Sequence, residues 1–114
     1  MPKLLTKHIE SATWPEDFKI ILRSFIDEHF MGEEPRLEVE ELKIADIEED
    51  LLDEVEQWED HDREHAYFMS QDMLRGDEFP PVIVCRNTLL DGYHRCYAAR
   101  QIGRDTVMAI RFAL

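Results

Sequence analysis

Cysteine, glycine, proline and basic residues are all scarce in this sequence. Its two cysteines, Cys85 and Cys96, are too few for a disulfide framework or a metal knuckle, and a reducing cytoplasmic setting is the expectation. No stretch approaches the roughly 18 to 20 consecutive apolar residues of a membrane span. Met1 to His8 lack the apolar core and small-residue cleavage site of a secretory signal. Four glycines and five prolines, well scattered, make no low-complexity linker, and no internal repeat is present. A length of 114 residues fits one domain, 1–114, and a 44 % hydrophobic content supplies its core.

The shortage of positive charge is the strongest compositional fact. Thirteen Lys and Arg face 26 Asp and Glu, a net charge of −13. Residues 75–114 are at +2, so residues 1–74 carry −15, with 16 acids between Glu33 and Glu64. Duplex DNA binding draws on cationic side chains that displace counterions from phosphates, so this balance argues against direct general DNA binding. A small anion in a local basic pocket remains open. The acid run reads first as a solvated face. It also offers a protein partner a surface that mimics nucleic acid, and a homodimer is compatible with the sequence.

The spacing of apolar residues gives the order of elements. Residues 1–12 read as a mobile arm. Thr13-Trp14-Pro15-Glu16 is a helix start with capping-box chemistry, and Gly32 is a stop, giving an amphipathic helix over 13–32. Its apolar positions are Phe18, Ile21, Leu22, Phe25 and Phe30. Leu37 and Val39 alternate as in a strand, as do Leu42 and Ile44, but parity slips between the pairs, which predicts a bulge or two short strands. Leu51, Val55, Trp58, Asp62, His65, Met69 and Met73 form a helical stripe, interrupted only by Asp62, on one or two helices. Pro81 to Cys85 and Leu89-Leu90 read as short strands, Tyr93 to Ile102 as a helix stopped by Gly103, and Thr106 to Phe112 as a closing strand. The tryptophans, Trp14 and Trp58, read as core or interface anchors.

Chemistry concentrates at Asp91-Gly92-Tyr93-His94-Arg95. A strand passing through glycine into a helix start makes an anion site. First-turn amides and the helix dipole face the anion, Gly92 allows close approach, and His94 and Arg95 add donors. The competing reading is that Asp91 caps the helix and Arg95 pairs with a carboxylate. His61 and His65, in a His-x-x-Glu-His segment, would lie one helical turn apart as in some zinc peptidases. A third ligand and a larger scaffold are missing, which favours an exposed face with one buried histidine.

Gly92-x-x-Arg95-x-x-Ala98 resembles the phosphate-cradling box of the partition protein ParB. The Asp91 to Arg95 loop is closer still to the Asp-Gly-x-His-Arg form of small ParB-like domains, ADP-dependent serine kinases among them. Sulfiredoxin has a related loop, with its reactive cysteine where Tyr93 stands here, so peroxiredoxin repair is not expected. ParB's helix-turn-helix region has no counterpart, which sets aside plasmid partition by this chain alone.

The resemblance covers about residues 66–112. It implies an α+β fold, ParB/sulfiredoxin-like, in which a small mixed sheet with packed helices spans 36–114 and an N-terminal amphipathic helix is added. It implies binding of a nucleotide (ATP, ADP or CTP) or another phosphorylated small molecule by Gly92, Tyr93, His94 and Arg95. Phosphotransfer or nucleotide hydrolysis would use Asp91 and His94, with Asp91 holding Mg²⁺. In the serine kinases a glutamate near the first strand is the general base; here Glu40, Glu41, Glu48 and Glu49 are all candidates. The alternative class is a non-catalytic regulatory or protein-interaction domain.

Overall fold

The computed structural model describes residues 5–7, 14–30, 36–86 and 88–113. Among the described residues, nine helices and strands and one 3₁₀ turn follow in order: β1 (Leu5–Lys7), α1 (Glu16–Phe30), β2 (Arg36–Lys43), a 3₁₀ turn (Ile44–Ile47), α2 (Glu48–Glu56), α3 (Asp60–Leu74), β3 (Val82–Cys85), β4 (Thr88–Asp91), α4 (Tyr93–Gln101) and β5 (Thr106–Ala113). The five strands form one sheet in the order β1-β2-β5-β3-β4. Neighbours are antiparallel except β3 and β5, which run parallel through Val82↔Ala109, Ile83↔Ile110 and Val84↔Arg111. The fold is α+β with a mixed sheet, and α4 begins directly after Gly92 as the spacing predicts.

Two apolar clusters, one on each face of the sheet, hold the layers together. On one face Phe18, Leu22 and Ile26 of α1 pack on Leu37, Val39, Ile83, Ile110 and Phe112. On the other, Leu51, Val55 and Trp58, Ala66 and Met73, and Cys96, Ala98 and Ala99 pack on Leu42, Val82, Val84 and Ala109. The N-terminal helix is therefore no appendage. It closes one whole face of the sheet, and burial of such side chains contributes about 1.5–3 kcal/mol each. Its buried stripe is Phe18-Leu22-Ile26, at steps of four; Ile21, expected inside, is 42 % exposed. The capping residue Thr13 and the stop at Gly32 lie outside the described residues.

The parity slip in β2 has a different cause from the one expected. β2 is a single strand in unbroken register with β5, from Arg36↔Ala113 to Lys43↔Thr106. Because both faces of the sheet are covered, Leu37 and Val39 pack under α1 while Leu42 packs on the opposite face. The register irregularity lies instead between β3 and β4, at Ile83/Val84. Within the arm expected over residues 1–12, Leu5–Lys7 pair with β2 through Leu5↔Val39 to Lys7↔Leu37. The helical stripe breaks between α2 and α3. Asp62 is no flaw in it, since its Oδ2 accepts the Glu59 amide at 3.2 Å at the start of α3. No helix among the described residues is long and apolar enough to cross a membrane.

Candidate functional site

Gly92 sets the direction in which α4 leaves the sheet. It is the N-cap of α4 at φ +101°, a left-handed conformation that a side chain disfavours. A Cβ there would also lie 2.6 Å from Val82 Cγ1, 2.8 Å from Val82 Cβ and 3.0 Å from Arg95 Nη2. The glycine therefore permits close strand-to-helix packing, with Val82 occupying the space a side chain would need. Helix hydrogen bonding starts at once, with the Cys96 amide donating to the Gly92 carbonyl at 2.9 Å.

From this start the site residues fan out over three directions. Arg95 turns toward α1. Its Nη2 donates to Asp91 Oδ2 at 3.2 Å and to the Pro81 carbonyl at 3.3 Å, and the guanidinium carbon stands 5.9 Å from the centre of the Phe18 ring. Arg95 Nε is buried, with no hydrogen-bond partner among the described residues. His94 turns toward α3. Its Nε2 lies 3.1 Å from Asp62 Oδ1, and its ring stacks on Trp58 at 4.6 Å with an 8° interplanar angle. Tyr93 turns back onto β4, its hydroxyl donating to the Leu89 carbonyl at 2.7 Å. Burial, then the nearby carboxylates of Glu54, Asp50 and Asp91, raise the Tyr93 pKa. Asp91, Gly92 and Arg95 thus come together; His94 and Tyr93 do not join them.

Arg95 reaches a cleft of about 790 Å³ walled by Trp14 and Pro15 before α1, Val39 and Glu41 of β2, Met73 of α3, the 76–81 loop, Ala99 of α4 and the 104–108 segment. The wall includes a second guanidinium, Arg104, whose Nη2 donates to the Met73 carbonyl at 3.4 Å. The carboxylates on it are Glu41, Asp77 and Glu78. Of the four glutamates open from the sequence, Glu41 lines this cleft and accepts the Thr106 hydroxyl at 2.7 Å. Glu40, on the opposite face, is buried against Arg111, with its Oε1 2.7 Å from Nε and 2.6 Å from Nη2. Glu48 pairs with Arg100 at 2.7 Å.

Sequence spacing missed Arg104 and Trp14 as cleft residues and Asp62 as the partner of His94. These pairings span turns whose course no local pattern fixes. Asp91, expected to hold a metal, is engaged by Arg95, and the described residues include no group of three or more His, Cys, Asp or Glu that could hold a metal ion. Cys96 is fully buried in the core, and burial pushes its thiol up to about 12. Comparison with family models, with curated proteins and with solved structures finds no match to this chain.

Proposed function

We propose that the chain binds a nucleotide or another phosphorylated small molecule in the cleft at Arg95. The observation carrying this reading is that Arg95 and Arg104, distant by nine positions and separated by a helix end, enter one cleft of a protein whose net charge is −13. Two guanidiniums give an anion charge-assisted, directional donors, and the buried Nε of Arg95 has donor capacity in reserve. Trp14 and the prolines of the 76–81 loop supply apolar wall for the rest of the molecule. The resemblance of the Asp91 to Arg95 loop to ParB/sulfiredoxin-like domains points to the same ligand class.

Binding without turnover is the form of this proposal that the side chains favour. Asp91 is paired with Arg95, and His94 with Asp62, so these two groups are not assembled over the cleft. Glu41 is the carboxylate there with a hydrogen-bonded hydroxyl beside it, and phosphoryl transfer or nucleotide hydrolysis would have to use it. Asp91 by itself is a poor fit for Mg²⁺, which needs several oxygen ligands.

A thermal-shift screen of ATP, ADP, CTP and GTP, with and without Mg²⁺, selects the ligand, since binding to the native state alone raises its stability. Calorimetric titration then compares variants. Arg95→Ala is expected to lose about 1.5–3 kcal/mol of binding, roughly one to two orders of magnitude in affinity. Arg104→Ala should weaken binding in the same direction. Arg100→Ala is the control, because Arg100 pairs with Glu48 away from the cleft. Equal affinities for wild type and Arg95→Ala would remove the phosphate reading.

A further inference from the structure

Helix α3 is packed on one side and bare on the other. Ala66, Ser70 and Met73 turn inward, and Met73 walls the cleft. The opposite side carries Asp60, Glu64, Tyr67, Phe68, Gln71 and Leu74, all exposed, with Arg75 just past the helix end. Tyr67, Phe68 and Leu74 are 58 %, 56 % and 63 % exposed. Tyr67 and Phe68 meet edge to face with ring centres 5.6 Å apart, which makes them one raised patch. Aromatic rings grouped in water form the kind of surface that a partner covers.

The order of charge along this side says which partner. Acid stands toward the helix start, at Asp60 and Glu64, and base at its end, at Arg75. At about 100° per residue, Glu64 and Gln71 fall on the midline of the bare side, Asp60 and Arg75 close to it, and Tyr67 and Phe68 on its two flanks. A two-fold axis crossing the helix between Tyr67 and Phe68 therefore makes this side its own complement. In an antiparallel pair the rings of both copies meet at the axis. Glu64 then comes level with Gln71 of the second copy, and Asp60 with Arg75 of the second copy. A uniformly basic partner would suit Asp60 and Glu64 but would set its cations against Arg75.

We propose that α3 is a dimerisation face, on which two copies of this chain associate through antiparallel α3 helices about an axis between Tyr67 and Phe68. The interface is isologous, the arrangement that closes a symmetric dimer. Arg75 is held within its own chain by Asp72 and, at 3.7 Å, by Asp77. These are exposed pairs, weak enough for the guanidinium to be shared with Asp60 of the second copy. The charge of −13 on each copy opposes association, but at physiological salt that repulsion is screened beyond about 8 Å. One helix face is smaller than a standard interface of about 1,600 Å², so the dimer is reversible.

Sedimentation equilibrium of the full chain at physiological salt tests this. The apparent mass should climb from 13.6 kDa toward twice that value as concentration rises from about 10 μM to about 1 mM. A monomer at every concentration overturns the proposal. The Tyr67→Ser, Phe68→Ser double variant should stay monomeric and keep the wild-type melting temperature at the lowest concentration, since both side chains are exposed. Ile20→Ser, Ile21→Ser, which strips the exposed apolar pair of α1, should dimerise like wild type. The reverse pattern would move the contact to α1 and overturn the face. Arg75→Asp should weaken association about fivefold, because symmetry places two such pairs at the interface. Adding Asp60→Arg should restore it. No recovery in that double variant overturns the antiparallel register, and with it the proposal. Should the serine variant fail to fold, the charge exchange decides alone.

Discussion

Gly92 combines two constraints that usually occur apart: a left-handed backbone and a missing space. Gly92→Ala is expected to cost about 2–5 kcal/mol in urea unfolding, from left-handed strain together with overpacking against Val82. Adding Val82→Ala should recover part of that loss, because it removes the closest contact, Cγ1, but leaves the Cβ contact and the φ of +101° unchanged. Cys96 is the other residue whose burial sets its chemistry. With its pKa raised from 9.0 to about 12, the thiol stays protonated at neutral pH. Iodoacetamide at pH 8 should label the partly exposed Cys85 first and reach Cys96 only as the chain unfolds, as read by peptide mass spectrometry. The folded state binds this proton more tightly than the unfolded chain does. The contribution of Cys96 to stability is therefore whole below pH 9 and is lost as pH rises from 9 toward 12. The raised pKa of Tyr93 acts with the same sign above pH 10.

At the scale of elements, β2 shows how one strand serves two cores. Its first half faces α1 and its second half faces the helical layer, so hydrophobic alternation changes parity while the ladder to β5 stays regular. Leu22→Ala under α1 and Leu42→Ala on the opposite face should each cost about 2–5 kcal/mol, as large-to-small core changes do. The two residues share neither a cluster nor a face. Their effects should add within about 0.5 kcal/mol in denaturant midpoints measured on the single and double variants, provided the chain retains enough stability to measure. Strong coupling would mean that the sheet transmits strain between its faces.

For the whole molecule, charge and shape divide the labour. The acids of residues 46–64 lie largely at exposed positions of the 3₁₀ turn, α2 and α3, and some are paired, as Glu48 is with Arg100. Two of the chain's few arginines are reserved for the cleft. At physiological salt no mobility shift of random duplex DNA is expected up to low micromolar protein, because a surface at −13 repels phosphates instead of releasing counterions. A clear shift at that concentration would mean that the cleft arginines are more exposed to a polyanion than their packing against Met73 and Asp91 allows.

By itself the sequence determined the order of nearly all the elements, the mixed α+β class and the start of α4 at Gly92. These rest on local facts: periodicity, turn residues and capping chemistry act within a few positions. It also offered a carboxylate partner for Arg95 without naming it; the structure identifies that partner as Asp91, which the local pattern reads as a helix cap. Tertiary structure decided what local patterns cannot express. Periodicity marks a residue as facing a core but does not say which core, so the slip in β2 looked like a bulge and Ile21 looked buried. Nor does it measure distances across the chain. Asp62 meets His94 over 32 positions, and Arg104 joins Arg95 across the end of α4. Each step of one residue along a helix rotates the side chain by about 100°, which is why adjacent His94 and Arg95 serve different neighbourhoods once α3 and α1 are packed on either side.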